Sequence, residues 1–227
     1  MLGQAIGDLL PLALGIAISP IPIIAVILML FSQRARANSA MFLLGWVVGV
    51  LGGMAVLLIV ANTQDLSQSN GQPDDSVSTI KVVLGLLLIV AAHRQWRNRP
   101  KEGEAPELPK YLQTIDTLSP PKALGLGVIL SAVNPKNLMM IIAGALVISQ
   151  ADLSDSDTII AVIVFVLIAI STVAVPVILY NVMGERAQPI LDTMRSSLAQ
   201  HNATIMAVLL LVIGFVLIGK GIAPIID

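Results

Sequence analysis

The chain has 227 residues, 56% of them hydrophobic and only 12% charged, where soluble domains are roughly half apolar and a quarter charged. That composition excludes a soluble multidomain protein and makes lipid the expected solvent, with room for six spans of about 20 residues and their connections. A net charge of -1 from basic residues spread along the chain argues against a nucleic-acid surface, and the absence of cysteine excludes disulfides, thiolate metal sites and thiol relays.

The first apolar stretch, 5–30, has no basic residue before Asp8 and is too long for a signal peptide, so it reads as a span. Further stretches follow at 39–62, 79–92, 123–148, 158–183 and 203–222, the third being the shortest. Each must be helical, because an open strand would leave backbone groups unsatisfied in hydrocarbon. The expected fold is therefore an all-α integral membrane protein, with six transmembrane helices forming two inverted repeats of three.

The connections sort by charge. Arg34 and Arg36 lie in the first, Arg94, Arg97, Arg99, Lys101, Lys110 and Lys122 in or beside the third, and Arg186 and Arg195 in the fifth. The second carries only acids (Asp65, Asp74, Asp75), as does the fourth (Asp152, Asp155, Asp157). The positive-inside rule then places the odd-numbered connections in the cytoplasm and both termini outside. The proline-rich third connection divides a first repeat (1–97) from a second (122–227) by a cytoplasmic linker (98–121) within one membrane domain. Because each half has an odd number of spans, the second half begins on the opposite side from the first, which is the geometry of an inverted repeat. In the fifth connection, Ile190, Leu191, Met194 and Leu198 stand at helical spacing after Pro189, and a short helix in the cytoplasmic headgroup layer is expected, with His201 and Asn202 beginning the last span.

Two spans carry matched interruptions. The first reads GIAISPIPIIAV, with Ser19, Pro20 and Pro22, and the fourth reads GVILSAVNPKNLMM, with Ser131, Asn134, Pro135, Lys136 and Asn137. Proline removes a donor and turns the preceding residue away from helical geometry, so each span should break near its middle and free backbone groups. Paired breaks in corresponding spans point to a transporter's substrate site; the alternative is that the prolines only kink packed helices. Lys136 is the one charged residue near the middle of a span, where insertion costs about 2.5–3.5 kcal/mol. With no acid at its depth, its expected partners are freed carbonyls, water or an anionic substrate group, unless it snorkels or is held neutral. Ser171 and Thr172, midway along the fifth span, are candidates to line the same cavity, or equally interhelical glue. Gly45, Gly49 and Gly53 recur every four residues and read as a packing face. Asp8 and Lys220 lie near the outer ends of their spans, where snorkelling explains them, with a gating ion pair as the alternative. No cluster of histidines or acids sits within the spans, so no enzyme, metal site or cofactor is expected.

The segments SPIPIIAVILML (19–30), FLLGW (42–46), RQW (94–96), LSAVNPKNLMM (130–140), GERA (184–187) and HNATIMAVLLLVIGFVLIGKG (201–221) resemble the GAP family, the glycopeptidolipid- and sulfolipid-addressing proteins of the LysE transporter superfamily. The resemblance runs nearly end to end. It implies a six-span protein of the bacterial cytoplasmic membrane that helps move glycolipids toward the cell surface, with its breaks at Pro20, Pro22 and Asn134-Pro135-Lys136. The partners expected are membrane lipids and an anionic or glycosylated lipid substrate, with a homodimer as an option. Three functions follow: a lipid transporter or flippase, a small-solute exporter of the amino-acid type, or a non-transporting partner of lipid-synthesis and export machinery that docks through the glycine face and the linker. A groove open sideways to lipid would favour the first over the second.

Overall fold

The computed structural model describes residues 1–63, 75–99 and 110–226. Outside them lie most of the acidic second connection, with Asp65 and Asp74, and part of the linker, with Pro100, Lys101, Pro106 and Pro109. The described residues are helical, with no strand among them. In chain order they form α1 (Leu2–Ala17), α2 (Pro20–Leu30), α3 (Ala35–Thr63), α4 (Asp75–Arg97), a 3-10 segment (Lys110–Thr117), α5 (Pro120–Val128), a π-helical turn (Ile129–Val133), α6 (Pro135–Ser149), α7 (Asp155–Met183), a short turn (Gly184–Ala187) and α8 (Gln188–Ile226).

The apolar stretches become these helices, and the expected breaks are present. The pair α1 and α2 bends by 52° at Ile18–Ser19, and the pair formed by 120–133 and α6 bends by 61° at Asn134. In each case a proline opens the second helix, where its missing N–H costs nothing. Pro11 and Pro176, by contrast, sit inside α1 and α7 without ending them. Among the described residues, three helical stretches are long and apolar enough to cross a membrane, or five if each bent pair counts as one span. The apolar helices make this a multi-pass membrane protein.

One expectation fails in the fifth connection. Residues 188–226 form a single helix, so the segment after Pro189 is the first part of α8 and not a separate headgroup-layer helix. Pro189 stands in the first turn, and neither glycine nor proline recurs before Gly214, so nothing stops the helix. His201 and Asn202 are consequently internal to α8, and His201 Nδ1 lies 2.9 Å from the Ser197 carbonyl one turn earlier. At 1.5 Å per residue α8 is about 58 Å long, well beyond a hydrocarbon core of about 30 Å.

Helix packing follows the small residues. In lipid, helices gain little from the hydrophobic effect and associate where backbones approach closely. A Cβ on Gly45 would lie 2.1 Å from the Leu124 carbonyl oxygen, and one on Gly127 would lie 2.3 Å from that of Phe42, so α3 and α5 touch backbone to backbone. The Gly45–Gly49–Gly53 face is thus spent inside the protein against α5, the π-helical turn and α6, which removes it as a docking surface for a partner. Gly85 and Gly214 allow the same intimacy between α4 and α8. The α1 helix packs on α6 and α7, while α2 packs on α3, α7 and α8. Buried Trp46 donates from Nε1 to the Ala169 carbonyl at 3.4 Å, joining α3 to α7.

Candidate functional site at the broken helices

A helix that stops in mid-membrane leaves its last four carbonyls without intrahelical donors. At the end of α1 all four are satisfied. Leu14 accepts from the Ile18 amide at 2.8 Å, Ile16 accepts from the Ser19 hydroxyl at 2.7 Å, and Ala17 accepts from the Ser19 amide at 2.8 Å and also from the Thr172 hydroxyl of α7. The remaining carbonyl, Gly15, accepts from Lys136 Nζ at 2.6 Å, and the same nitrogen lies 2.6 Å from Ser19 Oγ. Lys136 is buried, and its partner is one of the carbonyls that the break frees, so it does not snorkel.

The second break is built differently. Asn134 takes an extended conformation and caps α6, its Oδ1 accepting from the Lys136 amide at 3.0 Å. The preceding turn is π-helical, a wide turn common at functional positions. Ser131 is buried within it and donates to the Val128 carbonyl at 3.1 Å, while Asn137 Nδ2 reaches back to the Leu130 carbonyl at 3.1 Å. Asn137 Oδ1 is buried without a hydrogen-bond partner among the described residues. A Cβ on Gly49 would sit 1.9 Å from Ser131 Oγ, so the wide turn fits only against a glycine.

The predicted residues therefore divide into separate groups instead of lining one cavity. Ser19, Lys136 and Thr172 converge on the end of α1, and Pro20 and Pro22 start α2 behind them. Ser131, Asn134, Pro135 and Asn137 shape the second break. Ser171 is exposed, and its hydroxyl bonds its own helix at Ile168. Replacing Thr172 with valine removes one of two donors to Ala17 and should lower stability in detergent by about 1 kcal/mol, whereas Ser171→Ala should stay within about 0.5 kcal/mol of the parent, as thermal unfolding would measure.

Beside the first break a groove of about 510 Å³ opens between α2, α7 and α8. Ile23, Val175, Met194 and Leu198 give it apolar walls, and Ser171, Thr172, Thr193 and Ser197 give it four hydroxyls. Ser171, Val175, Thr193 and Ser197 are exposed, so the groove opens on the protein surface. Thr172 belongs both to this groove and to the end of α1. The sequence reading missed Thr193 and Ser197, whose spacing of four residues places both hydroxyls on one face of α8.

The sequence profile of a family described as Sap, sulfolipid-1-addressing protein (SfLAP), matches residues 9–223, nearly the whole chain. The chain belongs to the SfLAP family. This is the family that the two proline motifs resemble, and the match spans both breaks and the groove. Curated proteins and solved structures gave no match. The SfLAP match ties the chain to lipid addressing, and the geometry must supply how such a protein could handle a lipid.

Proposed function

We propose that this SfLAP protein is a transporter or flippase of an amphipathic, glycosylated or anionic lipid, moving it toward the cell surface through the α2–α7–α8 groove. The observation that carries this reading is the groove itself, whose apolar walls suit an acyl chain. The Ser171, Thr172 and Thr193 hydroxyl oxygens, whose protons go to backbone carbonyls, can accept from the hydroxyls of a sugar head group, and Ser197 adds a fourth hydroxyl. The groove is open at the protein surface. Such an opening favours a lipid over a small solute held in a closed chamber.

In this reading the chain crosses the membrane six times. Each bent pair counts as one, α3 and α4 as one each, and the long apolar stretch 155–223 resolves into α7 and α8 at Gly184–Ala187. Most of the extensive contacts also pair under exchange of the halves. α3 on α5 is answered by α7 on α1, α3 on α6 by α7 on α2, and α2 on α8 by α6 on α4, while α4 with α8 and α3 with α7 map onto themselves. This correspondence supports reading the two halves as an inverted repeat, as expected of a LysE-type protein. The contacts of α1 with α6 and of α2 with α3 have no comparably extensive counterparts between α5 and α2 or between α6 and α7, and the first of them is where Lys136 grips Gly15. With basic residues gathered at the end that carries Gly184–Ala187, that end faces the cytoplasm of a bacterial inner membrane and both termini face out.

In this mechanism Lys136 is a latch between the broken spans. Its bonds to Gly15 and Ser19 tie the first turn of α6 to the end of α1, and rocking of one half against the other must break and remake them. No enzymatic step is invoked. A second reading has one specific observation in its favour: Lys136 is satisfied by the protein's own groups, as in a static partner protein that binds lipid for other machinery.

The test is lipid translocation by the purified protein in proteoliposomes made with native lipid extract. Val175→Trp, which fills the groove from an exposed position, should lower translocation at least ~10-fold while leaving insertion and thermal stability within about 0.5 kcal/mol. A wild-type rate in that variant would remove the groove from the pathway, and a parent protein that moves nothing alone but co-purifies with a synthase would establish the partner role instead.

A further inference from the structure

At the end of the bundle that carries Met1, a second cavity of about 320 Å³ lies among Asp8 of α1, Lys81 of α4, Gln150 and Asp152 at the end of α6, and Lys220 of α8. Its size is at the lower edge of the ~300–1,000 Å³ typical of small-molecule pockets. Lys220 Nζ donates to Asp8 Oδ1, closing the last long helix onto the first. Lys81 Nζ donates to Gln150 Oε1 at 2.7 Å, tying α4 to the end of α6.

The two lysines are not equally neutralised. Lys220 bonds a carboxylate directly, whereas Lys81 is half-buried, hydrogen-bonds only a neutral amide oxygen among the described residues, and feels both the repulsion of the Lys220 charge and the weaker pull of Asp8. Asp152 also lines the cavity, but it is exposed at the rim, where water screens its charge. Each ammonium has three donors and spends one on the partner just named. A half-buried cation with no carboxylate bonded to it among the described residues, beside a second cation that shares one carboxylate's field with it, with donors to spare and room between helices, is an arrangement that a small oxyanion would complete.

We propose that this cavity is an anion site that takes a sulfate or phosphate group between Lys81 and Lys220, with the Asp8 carboxylate as the resident occupant that the incoming anion displaces. Binding then exchanges the α1–α8 ion pair for an anion bridge between α4 and α8, so occupancy and the closure of the first helix on the last are coupled. The site stands independently of translocation through the groove. A lipid head group and a free anion present the same oxygens.

The experiment uses the full chain in neutral detergent at low salt, with sodium sulfate and, below its micelle concentration, octyl sulfate as probes, followed by titration calorimetry and thermal unfolding. Saturable binding is expected, weakened about tenfold by Lys81→Gln and restored by Lys81→Arg. Asp8→Asn removes the competitor and should tighten binding at least ~3-fold, an effect that a purely structural ion pair would not give. Octyl sulfate that sodium sulfate cannot displace assigns the site to the head group of an amphiphile, while equal affinities assign it to a free anion. Val175→Trp should leave binding unchanged, which separates this site from the groove. Absence of saturable binding by both probes, or binding that Lys81→Gln and Asp8→Asn leave unaltered, overturns the proposal.

Discussion

Gly45→Leu is expected to abolish the folded protein, while Gly52→Leu on the same helix is expected to be tolerated. A Cβ at Gly45 would lie 2.1 Å from the Leu124 carbonyl oxygen and 3.1 Å from the Leu124 Cα, whereas nothing lies within 4 Å of one at Gly52. The obstacle at Gly45 is backbone, which cannot swing aside as a side-chain tip can, so α3 and α5 would have to separate. Overpacking in cores typically costs about 1–3 kcal/mol. A full leucine pressed against a carbonyl should exceed that range, and the loss of the α3–α5 contact would loosen the π-helical turn that Gly49 accommodates. Size-exclusion profiles in mild detergent would measure the contrast: aggregation for the Gly45 variant, a monodisperse peak for the Gly52 variant.

The second large effect is at Lys136. Replacement by methionine keeps most of the side-chain volume but leaves the Gly15 carbonyl without its donor, while Ser19 retains its bond to Ile16. The stability cost should be modest, about 1–2 kcal/mol, because a membrane-buried hydrogen bond is worth little more than that. Translocation should fall much further, at least ~10-fold, because no other side-chain hydrogen bond described here joins α6 to the end of α1. Lys136→Ala should likewise insert and fold yet transport poorly. Unchanged translocation in either variant would reduce the lysine to a structural cap.

These two sites differ in how far the sequence discloses them. The breaks are legible because their causes are local: Pro20 and Pro135 each fix the start of a helix, and Asn134 carries its own cap. For Lys136 the chemical nature of the partner could be anticipated, since a mid-span ammonium without an acid must seek freed carbonyls. Which carbonyl it finds could not be, because Gly15 is 121 residues away and enters only through the packing of α1 on α6. The π-helical turn has no local signature either, since its width depends on Asn137 reaching Leu130 and on Gly49 across the interface. The Asp8–Lys220 pair was outweighed by snorkelling, which accounts for either residue alone but not for their meeting across 212 positions. The groove stayed hidden for a more specific reason. Once 190–198 reads as a helix in the headgroup layer, Thr193 and Ser197 have no cause to face Ser171 and Thr172; the uninterrupted α8 puts them there.

The most direct test of lipid handling by the groove is photo-crosslinking in the native membrane, with a benzophenone amino acid placed at Val175 and, as a control on the same helix, at Leu167, which is 58% exposed but does not line the groove. The account predicts that Val175 captures a glycosylated or anionic lipid enriched over the lipids captured at Leu167. The same bulk phospholipids in the same proportions at both positions would contradict it.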